Sequence, residues 1–325
     1  MTRAKASCAE GSALATVLTA EPLTFYALQR EDASALQPAA VGTRLQPWPI
    51  RMQTKSNGGV TDCPGNLGDL HTDLGFKTGS SGAHSARTMM LADLTALLAS
   101  APAEAKRDDF NKRIVEENCL GKKTTSNRWL TARHLADLYG LDQGVTVFRL
   151  LRVFWSADAA ARPMLALLCA NARDALLRLS AKKVLETKPG ETVTSSDFVN
   201  FFTHELPGRF SQAMTTSLAQ NVGATWTHAG FLKGKITKTR TRPVVTPAVA
   251  AYALGLGYLC GLRGQVLLES FWARLLDMPR EQAIGQAQEA AKRGWLDFKG
   301  AGNIFEINFH QLLTPKEIQL SHGPN

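Results

Sequence analysis

The twenty residues from Pro243 to Leu262 carry no charged side chain and are bounded by Arg242 and Arg263. An uncharged run of this length has two destinations. One is the bilayer, which takes about 20 apolar residues to cross; the other is a protein core, where a helix can be apolar on every side. Its composition separates the two. Thr246, Pro247, Gly255, Gly257 and Gly261 interrupt the run, and Tyr252 and Tyr258 lie inside it. Small residues suit close helix packing, so the run is expected to be a buried core helix, with no membrane partner. The start of the chain adds no opposing signal, because Glu10 and Gly11 break the apolar stretch a signal peptide needs.

A core helix needs layers around it, and the chain has room for them. Its 325 residues, 44% hydrophobic and 20% charged, correspond to one large or two ordinary domains. The cysteines (Cys8, Cys63, Cys119, Cys169 and Cys260) are odd in number, scattered and without ligand spacing. A disulfide scaffold or structural zinc is not expected, and reduced thiols place the protein in the cytoplasm.

Residues 1–78 lack sustained periodicity and carry turn clusters such as Ser56-Asn57-Gly58-Gly59 and Cys63-Pro64-Gly65-Asn66. They are expected to be a poorly structured N-terminal extension, with Met52 marking residues 1–51 as upstream of the functional unit. Residues 79–192 read as a helical region. Met89, Leu91, Leu94, Leu97 and Leu98 recur at three to four residue spacing, and a second helix is expected over Ala105–Asn118. Thr124-Thr125-Ser126 caps a third helix over Asn127–Tyr139, ended by Gly140. Val145–Phe154 and one long helix over Met164–Leu185 follow, the latter with Arg173, Arg178, Lys182 and Lys183 on its outer side.

Residues 193–245 are the most informative. Ser195-Ser196-Asp197 caps a short helix over Phe198–Leu206, Pro207-Gly208 breaks it, and a longer helix runs from Ser211 to about His228. A small hairpin over Phe231–Val245 then turns at Gly234. Helix, turn, helix, hairpin is the order of a winged helix-turn-helix. Residues 246–325 repeat it: the core helix, Val266–Leu275, Pro279–Lys292, and a hairpin around Gly300-Ala301-Gly302. The expected fold class is therefore mainly α, a helical protein containing two winged helix-turn-helix-like units with small β-hairpin wings.

Charge points to a partner. The chain has 37 Lys+Arg against 28 Asp+Glu, and residues 1–78 are balanced, so the whole excess lies beyond them. The first wing holds Lys233, Lys235, Lys238, Arg240 and Arg242 with no acidic residue. Like charges crowded this closely repel, and phosphates relieve the repulsion. The second wing is nearly neutral and is expected to serve protein contacts. On the recognition helix, Gln212, Thr215, Thr216 and Gln220 are spaced to share one face. None is Arg, the residue most often used to read guanine, so binding to double-stranded DNA is expected to rest mainly on phosphates. Lys122, Lys123 and Arg128 flank a helix N-terminus and form a second candidate backbone contact.

Chemistry is not indicated. No phosphate-binding loop, dinucleotide fingerprint, nucleophile elbow, HExxH or EF-hand pattern occurs. Adjacent carboxylates at Asp108-Asp109 and Glu116-Glu117 point to different helix faces, and His204, Glu205 and His228 have no nucleophile or metal partner at fixed spacing. No catalytic residue, metal or cofactor is expected.

Glu117-Asn118-Cys119-Leu120-Gly121-Lys122-Lys123-Thr124, within Arg113–Arg128, resembles the E-N-x-L-x-K-x-S/T signature of the BrxA family of BREX bacteriophage-exclusion systems. The likeness continues at Gly230-Phe231-Leu232, through Pro247–Tyr252, and at Glu289–Leu296, spanning roughly residues 83–310 in one order. It implies a non-enzymatic DNA-binding subunit acting beside a methyltransferase, an ATPase and a phosphatase-like protein in host-DNA modification and phage restriction. An interaction scaffold of the same complex is the alternative, and a stand-alone transcription regulator a further one.

Overall fold

Short helices follow one another from Leu91 in the computed structural model, which describes residues 72–301 and 304–322. Of the extension expected over residues 1–78, residues 1–71, Met52 among them, lie outside the described residues, whereas 72–78 are packed: Leu74 and Phe76 are buried in the core, and Lys77 N donates to Ala172 O at 3.0 Å. After a 3₁₀ turn at Ala83–Ser85 come α1 (Leu91–Ser100), α2 (Arg107–Val115), α3 (Thr125–Tyr139), α4 (Thr146–Ala157), α5 (Arg162–Arg173) and α6 (Ala175–Glu186). Strand β1 (Thr192–Val193) leads into α7 (Ser195–Glu205), α8 (Gln212–His228), β2 (Leu232–Lys233) and β3 (Lys238–Arg240). Then follow α9 (Pro247–Leu259), α10 (Gly264–Leu268), α11 (Phe271–Arg274), α12 (Arg280–Lys292), β4 (Asp297–Ala301), β5 (Ile304–Asn308) and α13 (Pro315–Leu320). The protein is mainly helical with small antiparallel wings.

The uncharged run is the centre of the core. Every residue of α9 from Ala248 to Leu259 is buried, and the helix packs against α4, α5, α11, α12 and α13. Inside the helix the Tyr252 hydroxyl donates to Val147 O at 2.9 Å. Gly257 lets α10 come close, because a Cβ there would stand 2.6 Å from Leu267 Cδ1. At thirteen residues, or about 20 Å, α9 falls short of a bilayer's hydrocarbon thickness of about 30 Å. No helix among the described residues is long and apolar enough to cross a membrane.

The helix expected over Met164–Leu185 is two helices. Asp174 breaks it with an extended backbone, φ −129° and ψ 106°. Its carboxylate accepts from the N–H groups of Leu176 and Leu177, both at 3.0 Å, and so caps α6. Arg178, expected on a solvated side, is buried and donates to Asn171 O and Lys77 O. At the start of α3 the cap is Thr124, whose hydroxyl oxygen accepts from Asn127 N at 3.2 Å. The helix expected over Val266–Leu275 also divides, at Ser270, whose buried hydroxyl caps α11.

The first winged unit contains a strand absent from the sequence reading. β1 pairs antiparallel with β3, and β3 with β2, giving a three-stranded sheet in the order β1-β3-β2. α7 and α8 pack together beside it. Both have caps: Thr194 and Asp197 form a capping box at α7, and Ser211 accepts from Met214 N at α8. The second wing is the two-stranded β4-β5 hairpin, its register running from Asp297 opposite Asn308 to Ala301 opposite Ile304.

Candidate nucleic-acid interface

Helix α8 buries Thr215, Leu218, Ala219, Val222, Thr225 and Trp226 along one stripe. The indole N–H of Trp226 donates to Ser180 Oγ at 2.9 Å, tying α8 to α6. Gln212, Ser217 and Gln220 are left exposed, with Thr216 half-buried. Thr215 does not belong with them. It is 5% exposed and donates its hydroxyl to Ser211 O at 3.0 Å, so it belongs to the packed stripe and faces no ligand. Thr216 likewise spends its hydroxyl on Gln212 O, at 2.9 Å. The outward face of α8 is uncharged and mixed, polar at Gln212, Ser217 and Gln220 and apolar at Met214, which is 47% exposed.

The wing supplies the charge, but its five cations are not alike. Lys233, Lys235 and Arg242 are exposed and make no ion pair among the described residues. Lys238 is half-buried; its stem lies over Gly223 of α8 and its ammonium donates to Gly234 O at 3.2 Å. Burial holds the Lys238 pKa below the ordinary lysine value. Partial desolvation, with the Lys238 charge adding to it, holds the pKa of His228 at the end of α8 below the ordinary histidine value.

Arg240 corrects the sequence reading. It is 1% exposed and closed in on every side. Its Nη2 lies 2.9 Å from Asp277 Oδ2, its Nε donates to Val184 O at 2.9 Å, and its Nη1 donates to Thr241 O. Phe231 covers its guanidinium face at 5.0 Å. No phosphate reaches it; Arg240 joins the base of the first wing to the segment between α11 and α12.

The second candidate contact shrinks in the same way. Lys122 is paired with Asp93 at 2.7 Å, and Arg128 donates to Val115 O at 3.2 Å, closing the end of α2. Lys123 alone of the three is exposed and unpaired among the described residues.

Two features escaped the sequence reading. From Leu206 to Leu268 the chain contains no Asp or Glu, while Arg209, Lys233, Lys235, Lys238, Arg240, Arg242 and Arg263 fall within it. That signal was available by counting. The other is a buried network that needs three distant segments: His84 Nδ1 lies 2.7 Å from Asp174 Oδ2, and His84 Nε2 lies 2.9 Å from Thr225 Oγ1. Thr225 Oγ1 also accepts from Met89 N at 2.9 Å. Gly82 permits the approach, since a Cβ there would stand 1.9 Å from Asp174 Oδ1. The acid–imidazole–hydroxyl order matches that of nucleophilic triads. Here, however, His84 and Thr225 are 0% exposed and Asp174 1%, so no substrate meets the hydroxyl. The network fixes α8 against the 3₁₀ turn and the α5–α6 junction.

Burial alone pushes the Asp174 carboxyl up. Attraction to His84, with hydrogen bonds from His84 and the Leu177 N–H, outweighs it and holds the pKa below the ordinary carboxylate value. The unfolded chain therefore binds more protons in acid than the folded one. The stability contributed is complete above the unfolded value and is lost as pH falls through the folded one. Thermal unfolding followed by circular dichroism should show Tm falling below about pH 4. Asp174→Asn should start from a lower Tm at pH 7 and show a shallower acid decline; an unchanged decline would assign it to other carboxylates.

No protein-family model matches the chain, and no curated protein matches its sequence.

Proposed function

We propose that the chain is a non-enzymatic double-stranded DNA-binding protein whose contacts go mainly to phosphates. The observation that carries this is the acid-free segment Leu206–Val245, which forms α8 and the basic hairpin β2-β3 and exposes Lys233, Lys235 and Arg242. Gln212 and Gln220 lie on the outward face of α8, and α8 itself contains no Lys or Arg. Such a face positions the helix but discriminates bases weakly. Lys123 extends the same chemistry to the N-terminus of α3.

The resemblance to the BrxA family supports the setting: a cytoplasmic BREX-type phage-defence assembly. There the DNA-bound subunit serves a methyltransferase, an ATPase and a phosphatase-like protein. A scaffold role is favoured by one observation, the second wing. It mixes Asp297, Lys299 and Glu306 and leaves Ile304 78% exposed, which suits a protein surface better than a phosphate backbone.

Competition binding with unrelated duplexes at one salt concentration tests the reading. Affinities should agree within about tenfold, whereas true operators stand on the order of a thousandfold above random sequence. A preference of that size would replace the phosphate-dominated reading with a transcription regulator's.

A further inference from the structure

The apex of the first wing carries a side chain that a solvated turn does not need. Lys233 pairs with Thr239, so Ile236 is the midpoint of the loop between them. It is 84% exposed, more than any other large hydrophobic among the described residues, and it takes no part in the core. Turn apices are ordinarily filled by Gly, Asn, Asp, Pro or Ser, each for a backbone reason; β-branched Ile offers none. Exposed Lys233 and Lys235 precede it, and half-buried Lys238 follows. Along the sequence the nearest acidic residues are Glu205 and Glu269; in space Glu191 and Asp277 stand at the base of the wing, against Arg240, away from the loop that carries Ile236.

Cations and an apolar tip therefore share one narrow hairpin, while the outward face of α8 is neutral. That division fits a minor groove, about 6 Å wide and strongly negative. Proteins that bind there commonly drive an apolar side chain, Ile among them, between base steps, which unstacks and kinks the duplex. We propose that Ile236 is such a wedge: Lys233 and Lys235 grip the flanking phosphates while Ile236 enters a base step. The proposal rests on the DNA-binding reading above and adds a specificity to it. Pyrimidine–purine steps, TA and CA/TG, unstack most easily. The protein selects them through deformability, with no hydrogen bond to a base edge.

The test uses the full chain and duplexes carrying 2-aminopurine beside a central TA step. Saturating wild-type protein should raise the 2-aminopurine emission severalfold. Ile236→Ala, whose fold and Tm should match wild type because the side chain touches no core, should keep the salt dependence of binding. It should leave the emission at the free-duplex value and lose a preference for TA over G·C-rich duplex on the order of tenfold. Ile236→Phe should restore both. Saturable wild-type binding with unchanged emission, or a rise that persists in Ile236→Ala, overturns the wedge and leaves DNA binding intact. No duplex binding by the wild type at any salt concentration overturns the DNA-binding reading and the wedge with it.

Discussion

Replacing Lys233, Lys235 and Arg242 together with Ala flattens the slope of log K against log salt by about 2.7 for duplex DNA, at about 0.9 for each phosphate no longer neutralised. The same variant weakens binding most at low salt, where counterion release contributes most. The three side chains are exposed and unpaired among the described residues, so their removal leaves thermal unfolding within the small range expected of surface substitutions. Fluorescence polarisation across a salt series, with Tm measured on the same samples, reads both quantities. An unchanged slope with unchanged Tm would assign the wing to a protein partner.

Arg240→Ala does the opposite: it costs about 3 kcal/mol of stability, because removing one member of a buried ion pair strands the other and the acceptors around it. Asp277 is deprived of its partner at 2.9 Å, Val184 O of its donor, and Phe231 of the guanidinium it covers. Denaturant unfolding should show the effect as a lower midpoint. Duplex affinity at temperatures where the variant remains folded should stay near that of wild type. Normal stability with weakened DNA binding would contradict the buried role. Asp277→Ala should reproduce part of the destabilisation, being only 19% exposed itself.

The five wing cations look alike in sequence, and strand geometry is what divides them. Side chains two apart on a strand share a face. Leu232 lies opposite Arg240 in the register, so Arg240 faces inward with an apolar neighbour, while Lys233 lies opposite Thr239 on the outer face. The pairing of Leu232 with Arg240 is knowable only once the turn is placed at residues 234–238. Thr215 is ambiguous for a related reason. The spacing admits it to either side of α8, and only packing against α7 settles which side is buried.

Local signals carry the rest. Thr194 with Asp197, Ser211, and Pro207-Gly208 place α7, α8 and the turn between them, because caps and breakers act within a few residues. Composition alone places α9 in the core. Asp174 is ambiguous in sequence: as an Asp it can cap α6 locally, but the apolar spacing runs through it, and the contact of its carboxylate with His84 comes from ninety positions away. Helix α13 has a legible signal that the sequence reading passed over: Thr314, Pro315 and Glu317 make a capping box with proline in the first turn. Its Glu317 reaches back to Arg149 of α4 at 2.7 Å.

An exposed, acid-free wing that binds duplex DNA through phosphates must show it in the salt dependence of wild-type binding to several unrelated duplexes. The expected result is a common slope of log K against log salt of about −2.7 or steeper, from Lys233, Lys235 and Arg242 alone. Binding that is absent at low salt, or insensitive to salt, would contradict it.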